Sequence, residues 1–429
     1  MNPKDLMRYP PGTDLLSFKE PPVGVEPQSI KVVAEDGFYS RGLLWSKGNE
    51  RTVILIAHPK GDMTRHYLVP GFVNNGYAVI AHESRSPNND SQFTYEAFLE
   101  DIAAIMRFAR ERFEKIVFMG YSGGGSAYMY YQAQAVTPPP GRYTHTPAGE
   151  PYDLNKFDMP VGDGMMFVGA HKGTGAMMLD EIDGSLVDES DPFSCDPALD
   201  MYNPDNGFRE PPEKTTYTQE FLARYREAQR KRNARIDAIA RGLVQTQREF
   251  RAMVQAPGFA ALPLKERLPV QRRAASLKFM QVFRTDANPS MLDLSIDPSL
   301  RTIGGIVTKR PDITNYSENG FARVVTPHAW LSQWSGLTCR SAVAMNIDKV
   351  TVPTIVMSFT GDNSIHPAIG KTTFETSPAK DKTYAESDCD HFGFPLASKP
   401  YEGARGAPTS EKLVAWLRAR FPGAKGTKP

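Results

Sequence analysis

The stretch that decides the fold is KIVFMGYSGGGSAYMYYQAQ, residues 115–134. It opens with an apolar run typical of a strand buried on both faces and ends in a helix-compatible segment. Between the two, Gly120 and Gly124 bracket Ser122 in a G-x-S-x-G pattern. A nucleophilic serine on a strand-to-helix turn needs small neighbours, because the turn leaves no room for side chains on both flanks. The stretch therefore predicts a reactive serine at such a turn.

The segments on either side of this stretch predict an α/β fold. Buried-strand runs occur at Val53–Ala57, Tyr77–Ala81 and Gly164–Ala170, and a final strand is predicted in TVPTIVMSF, from residue 351. An amphipathic helix is predicted from Tyr95 to Ala109. Strands that alternate with helices imply right-handed crossovers, and hence a mostly parallel sheet with helices on both faces.

The remaining local predictions concern the ends of the chain. Residues 29–46 predict two strands around an acidic turn, and residues 67–75 a short helix. The segment SEKLVAWLRARF, residues 410–421, predicts a closing amphipathic helix. We predict an N-terminal extension at residues 1–28 and one α/β domain made of residues 29–190 and 335–429.

Residues 191–334 are predicted to be a mainly helical cap inserted between late strands. A charge-laced helix is predicted from Thr218 to about Phe250, and its basic run Arg230–Arg235 is interpreted as a solvated face. Its apolar stripe consists of Ile236, Ile239, Leu243, Phe250, Met253 and Val254. Aromatic residues that could line a pocket are Phe208, Tyr217, Phe283, Trp330 and Trp334.

Composition excludes several classes of function. The chain has 429 residues, with 50 Lys plus Arg against 49 Asp plus Glu, and this balance disfavours a nucleic-acid partner. Three scattered cysteines form neither a disulfide framework nor a metal motif, which indicates a reducing compartment. The sequence shows neither a signal peptide nor a run of about 20 apolar residues, so we expect a cytoplasmic protein without a membrane partner. Without HExxH or a dinucleotide-binding glycine motif, we expect neither a catalytic metal nor a cofactor.

A serine is a weak nucleophile at neutral pH and needs a base, normally histidine, held by an acid. Asp362, in SFTGDNSIHP, follows the predicted strand TIVMSF, and His391 lies one loop further on, in SDCDHFGFP. The carboxyl ends of parallel strands deliver their loops to a shared site. The order Ser122, Asp362, His391 is that expected of a hydrolase triad on an α/β sheet.

With these motifs, the chain resembles the α/β-hydrolase superfamily with a large cap. The resemblance covers about residues 29–190 and 335–421 and implies that Ser122 is the nucleophile, His391 the general base and Asp362 the orienting carboxylate. It also implies an oxyanion hole made of two backbone N–H groups, one of them from Gly123. The second donor should come from the loop after the third strand, where Lys60 is the first choice and Gly61 or Asp62 are alternatives, because Pro59 has no N–H.

Other residues compete for these roles. His366 is an alternative base, although one short loop rarely brings both its side chain and that of Asp362 to one serine. Asp388 and Asp390 are interpreted as solvated loop acids, and Glu83 is a second-choice acid on an earlier loop. His171 is a candidate for lining the pocket.

The resemblance implies cleavage of a carboxylic ester or lactone through an acyl-enzyme. An amide or a carbon–carbon bond beside a ketone remains the enzymatic alternative, and a non-catalytic binding protein on the same scaffold is the alternative of a different class. The expected partner is a small-molecule substrate that is bulky and partly apolar, and homo-oligomerisation stays open.

Overall fold

The computed structural model describes residues 3–86, 91–318 and 320–425. Within these ranges one sheet contains eight strands, in the spatial order β1-β2-β4-β3-β5-β6-β9-β10. Strand β2 is antiparallel to both of its neighbours, and the other neighbouring pairs are parallel. The sheet strands are β1 Gln28–Val33, β2 Tyr39–Trp45, β3 Thr52–Ile56, β4 Ala78–His82, β5 Lys115–Tyr121, β6 Gly164–Val168, β9 Thr354–Phe359 and β10 Lys382–Ser387, and a separate pair consists of β7 Met280–Gln281 and β8 Val324–Val325.

Helices cover both faces of the sheet. Helices α3 and α4 pack on one face, and α2 and α12 pack on the other. This explains why β3 and β4 are fully buried and nearly continuous in apolar residues. The α-helices are α1 Pro3–Leu6, α2 Val69–Val73, α3 Tyr95–Arg110, α4 Gly123–Val136, α5 Thr174–Glu181, α6 Gln219–Gln255, α7 Leu264–Ala275, α8 Pro311–Thr314, α9 Pro327–Ala329, α10 Val343–Asn346, α11 Pro367–Thr376 and α12 Ala407–Arg418, and a π-helix spans Trp330–Trp334.

The predicted α/β class is confirmed, but the expectation that the strand near residue 351 is the last one was wrong. Strand β10 follows it and pairs in parallel with β9 along the edge of the sheet. Its sequence KTYAES has no apolar run, because five of its six residues are only half-buried. An edge strand of this kind lacks the sequence signal that marks the central strands.

Most of the segment between β6 and β9 lies in helices and irregular loops, and its longest element is α6. The buried face of α6 differs from the predicted stripe, because Ile239 and Met253 are 41% and 50% exposed. Polar side chains take part of that face instead, among them Gln229, Asn233 and Asp237. The boundaries 191 and 334 of the cap remain a prediction.

The interpretation of Arg230–Arg235 as a solvated face was wrong for Arg232. This side chain is 1% exposed, and its guanidinium donates to Glu189 and to the carbonyls of Asp183, Phe283 and Arg284. A buried guanidinium is tolerated because each of these acceptors receives one of its N–H groups. Arg232 therefore ties α6 to two irregular segments.

We expect Arg232→Ala to lower the free energy of unfolding by about 3 kcal/mol, since the carbonyls of Asp183 and Phe283 lose a buried donor and Glu189 keeps, among the described residues, only Arg235 as its ion-pair partner. The measurement is the thermal unfolding midpoint, and Arg230→Ala, at an exposed position of the same run, is the matched control. Equal midpoints for the two variants would contradict this role of Arg232.

In the described part of the chain, every helix is either too short or too polar to pass through a bilayer.

Candidate active site

The turn between β5 and α4 holds Ser122 in a strained backbone conformation. Its φ is 51° and its ψ is −121°, a region that costs a non-glycine residue about 1–3 kcal/mol. A Cβ on Gly124 would lie 2.1 Å from the carbonyl oxygen of Ala57, and one on Gly120 would lie 2.3 Å from the Cα of Gly125. The glycines are therefore required by close backbone contacts, and the serine lies where the sequence predicts it.

Asp362 and His391 form a buried pair on the loops after β9 and β10. His391 Nδ1 lies 2.5 Å from Asp362 Oδ2. The other carboxylate oxygen accepts the backbone N–H groups of Ser364 and Ile365, both at 2.9 Å, which fixes the plane of the carboxylate. Because Nδ1 faces the carboxylate, Nε2 of His391 is left for another partner.

A cavity of about 40 Å³ joins the loops at this edge of the sheet. Its walls include Ser122 and Gly123, together with Ser364 and Ile365 from the loop of Asp362. The ring of His391 lies 5.2 Å from that of Tyr121, whose hydroxyl donates to the carbonyl of His391 at 2.7 Å. Among the described residues, Ser122 and His391 do not hydrogen-bond to each other, although their loops meet at the same edge.

The predicted second oxyanion donor has a different partner. The N–H groups of Lys60 and Gly61 donate to His58 Nδ1 at 3.1 and 2.8 Å, so the Lys60 N–H is occupied by an imidazole. The side chain of Asp62 accepts from Thr64, and its backbone N–H remains the alternative donor that we predicted from the sequence. The loop curls around the His58 ring in this way because that ring supplies a local acceptor. Gly123, the other predicted donor, begins α4 beside the cavity.

The Nε2 atoms of His58 and His171 both lie close to Gly123. A Cβ built on Gly123 would lie 2.9 Å from His58 Nε2 and 3.2 Å from His171 Nε2. Burial lowers the pKa of His58 to about 3 and that of His171 to about 4, and the nearby His391 contributes to both shifts. His171 Nδ1 accepts the N–H of Gly173 at 3.1 Å. Both rings are therefore neutral at pH 7, with the proton on Nε2, and neither can take a proton from Ser122 there.

The competing residues have other partners. His366 lies 3.8 Å from Asp297 rather than beside Asp362. Asp390 accepts the hydroxyl of Tyr9 at 2.7 Å, so it is not the solvated acid that the sequence predicts, whereas the exposed Asp388 pairs with Lys399 at 2.9 Å. Glu83 follows β4, with its backbone bonded to the carbonyl of Arg41 and the hydroxyl of Ser40.

The segment between β6 and β9 supplies most of the apolar wall of the cavity. Of the five predicted pocket aromatics, Trp334 lines the cavity, stacked on Phe321 at 5.7 Å between ring centroids. Sequence reasoning missed Phe321 and His58. It named His171 only as a candidate and favoured a loop histidine without function, whereas the structure places His171 in the wall. A local signal for His58 exists in the sequence, because an imidazole can accept the backbone N–H groups of the residues two and three positions after it.

A second, polar cavity of about 80 Å³ adjoins the first. Both are lined by His171, Met177 and Ser364. Glu181 and Arg226 are also in its wall, and burial raises the pKa of Glu181 to about 8, so that its carboxyl is neutral at pH 7. Within the described ranges, no three His, Cys, Asp or Glu residues are grouped so that they could hold a metal ion.

The strand order, with β2 reversed, and the serine at the β5–α4 turn define the α/β-hydrolase fold, and the chain has this fold, as the sequence predicts. No family model and no curated protein sequence matches the chain. The structure is similar to that of DcsB, solved in complex with its substrate analogue (12% identity, TM-score 0.46, 92% of this chain and 99% of that one). It is also similar to an esterase from Exiguobacterium antarcticum, with 12% identity and a TM-score of 0.40 over 91% of this chain and 100% of that one. An esterase domain from Rhodothermus marinus is similar with 10% identity and a TM-score of 0.42 over 92% of this chain and 98% of that one. Similarities of this size say nothing about the substrate.

Proposed function

We propose that the protein hydrolyses a carboxylic ester or lactone through an acyl-enzyme on Ser122. The observation that carries the proposal is the 2.5 Å contact between His391 and Asp362, at the sheet edge where the strained turn presents Ser122. A buried histidine held by a buried carboxylate is the arrangement that activates a serine hydroxyl.

In this mechanism Ser122 Oγ attacks the carbonyl carbon, and its proton passes to His391 Nε2. Asp362 stabilises the imidazolium through Nδ1–H and stays ionised. His391 then protonates the leaving alcohol, and water resolves the acyl-enzyme by the same steps. The hydrogen bond between Ser122 and His391 forms as substrate enters, since such bonds often tighten only in the complex.

Amide and carbon–carbon bond cleavage remain the alternatives on the same residues. An ester is the first choice, because an alkoxide is a better leaving group than an amide nitrogen or a carbanion. The binding-protein alternative is disfavoured because binding alone does not require a strained serine and a buried acid–histidine pair at one edge of the sheet.

The test of the proposed function is labelling with a fluorophosphonate probe, which reacts with activated serines. We expect one probe per chain, attached to Ser122 and located by peptide mass spectrometry. Heat-unfolded protein is the control, because its serines should not react with the probe. A folded protein that stays unlabelled would contradict an activated Ser122 and favour the binding alternative.

We propose further that the substrate is a small ester with one short apolar part and one polar part, and this differs from the bulky substrate that we expected from the sequence. The cavity at Ser122 has apolar walls and little volume, whereas the adjoining cavity offers Arg226 and the neutral carboxyl of Glu181. A cavity of about 40 Å³ has room for about three water molecules, so we expect a short acyl group to fit it better than a long one.

On a panel of p-nitrophenyl esters, we expect kcat/KM to fall from acetate to octanoate. Phe321→Ala opens the apolar wall, and we expect it to raise the octanoate-to-acetate ratio of kcat/KM about tenfold. Phe279→Ala, at a residue that is 52% exposed, is the matched control and should leave the ratio unchanged. A wild-type protein that prefers octanoate would contradict the short apolar part.

A further inference from the structure

We infer that the oxyanion hole is completed by two imidazole N–H groups, Nε2–H of His58 and Nε2–H of His171, which act together with the backbone N–H of Gly123. This inference rests on the proposed acyl transfer at Ser122 and adds two catalytic residues to it. Both would touch the carbonyl oxygen of the substrate as it becomes negatively charged.

Two backbone N–H groups of the loop after β3 are already hydrogen-bonded within the loop. The loop after β3 normally supplies the second donor, but Pro59 has no N–H and those of Lys60 and Gly61 point at His58 Nδ1. The donor that this loop offers to a substrate is therefore the imidazole of His58 instead of these two backbone N–H groups. Each bond to Nδ1 requires a lone pair there, which places the ring proton on Nε2.

The positions of the two Nε2 atoms suit this role. His58 Nε2 and His171 Nε2 lie 2.9 and 3.2 Å from the position that a Cβ of Gly123 would take, so both face the residue that follows the nucleophile. Both rings also line the cavity that contains Ser122. Donors at about 2.7–3.1 Å from the developing oxyanion are the geometry that stabilises it. Glycine at position 123 leaves both imidazoles accessible from the cavity, because a Cβ there would already be in close contact with both Nε2 atoms.

The charge state of the two imidazoles also suits this role. A neutral imidazole is a suitable donor to a carbonyl oxygen, because it polarises the oxygen without itself giving up a proton. His58 and His171 stay neutral above about pH 5, since their pKa values are lowered to about 3 and about 4 by burial. In the attack step the carbonyl π electrons move to the oxygen, the serine proton moves to His391, and both imidazole protons stay on Nε2.

The test compares leucine and glutamine variants at both positions, because the glutamine amide can place an N–H near the position of Nε2. We expect His58→Leu and His171→Leu each to lower kcat by about 10²–10³-fold with KM changed less than threefold. Affinity for a trifluoromethyl ketone, which forms the oxyanion on Ser122, should fall in parallel with kcat/KM. Glutamine at either position should restore most of both losses.

His82→Leu is the matched control, because His82 is another buried histidine with a lowered pKa, and its Nε2 pairs with Tyr128 at 2.9 Å, away from the cavity. We expect it to lower the unfolding midpoint but leave kcat unchanged. The inference is overturned if both leucine variants keep kcat within twofold, or if kcat falls while the ketone still binds with full affinity. In either case an inactive Ser122→Ala shows that the proposed function itself stands.

A measurement on the unaltered protein covers the case in which the leucine variants fail to fold. With ¹⁵N-labelled histidine at pH 7, we expect His58 and His171 to show the Nε2–H tautomer, and their Nε2 protons to shift downfield when the trifluoromethyl ketone binds. An Nδ1–H tautomer at either residue, or shifts that do not change on binding, would overturn the inference.

Discussion

Ser122→Ala is expected to lower kcat for ester hydrolysis by about 10⁴–10⁶-fold, because the variant keeps the cavity but loses the atom that forms the acyl-enzyme. A residual rate above that of water should remain, since the donors beside Gly123 still polarise the carbonyl. The measurement is kcat and KM on p-nitrophenyl acetate with purified protein, together with loss of fluorophosphonate labelling.

Ser126→Ala is the control for this variant. Ser126 is buried four residues further along the same helix, and its hydroxyl donates to the carbonyl of Gly123 at 3.1 Å. We expect its kcat to stay within threefold of that of the unaltered protein. Full activity in Ser122→Ala would remove the acyl-enzyme mechanism.

Asp362→Asn is expected to lower kcat by about 10⁴-fold while the fold is retained. The amide of asparagine can donate to His391 Nδ1, which moves the imidazole proton to Nε2 and leaves no lone pair to accept the proton of Ser122. The backbone N–H groups of Ser364 and Ile365 can still donate to the amide oxygen, so we expect the loop to stay in place. Steady-state kinetics and the unfolding midpoint check both expectations.

Asp388→Asn is the matched control, since Asp388 lies only three residues from His391 yet its carboxylate pairs with Lys399 at the surface. We expect its kcat to stay within twofold. The assignment of the acid would be wrong if Asp388→Asn lost activity and Asp362→Asn kept it.

The centre of the fold was predictable because β3 and β4 are buried on both faces and therefore carry uninterrupted apolar runs. The serine turn was predictable because close backbone contacts require glycine on both sides of the serine, and this spacing is visible in the sequence. Strand β10 was not predictable, because its residues are mostly half-buried and carry no apolar run. The burial of Arg232 was not, because its carbonyl acceptors come from distant segments of the chain. A half-buried edge strand and a buried arginine look like ordinary polar segments until their neighbours are known.

The donors beside Gly123 were missed for a related reason. Histidine in the loop after β3 is visible in the sequence, but which ring nitrogen carries the proton follows from hydrogen bonds that only the folded loop shows. The pair of Asp362 and His391 could be proposed earlier because chain order and strand ends already limit where such residues meet.

In the proposed mechanism, bond cleavage and substrate selectivity depend on residues from different parts of the chain. The nucleophile and its acid–histidine pair stand on turns of the sheet, whereas Ile306, Phe321 and Trp334 of the cavity wall come from the long segment between β6 and β9. Mutational libraries at these three positions, which leave His171 of the same segment unchanged, are therefore expected to change substrate selectivity while the proposed reaction chemistry is preserved.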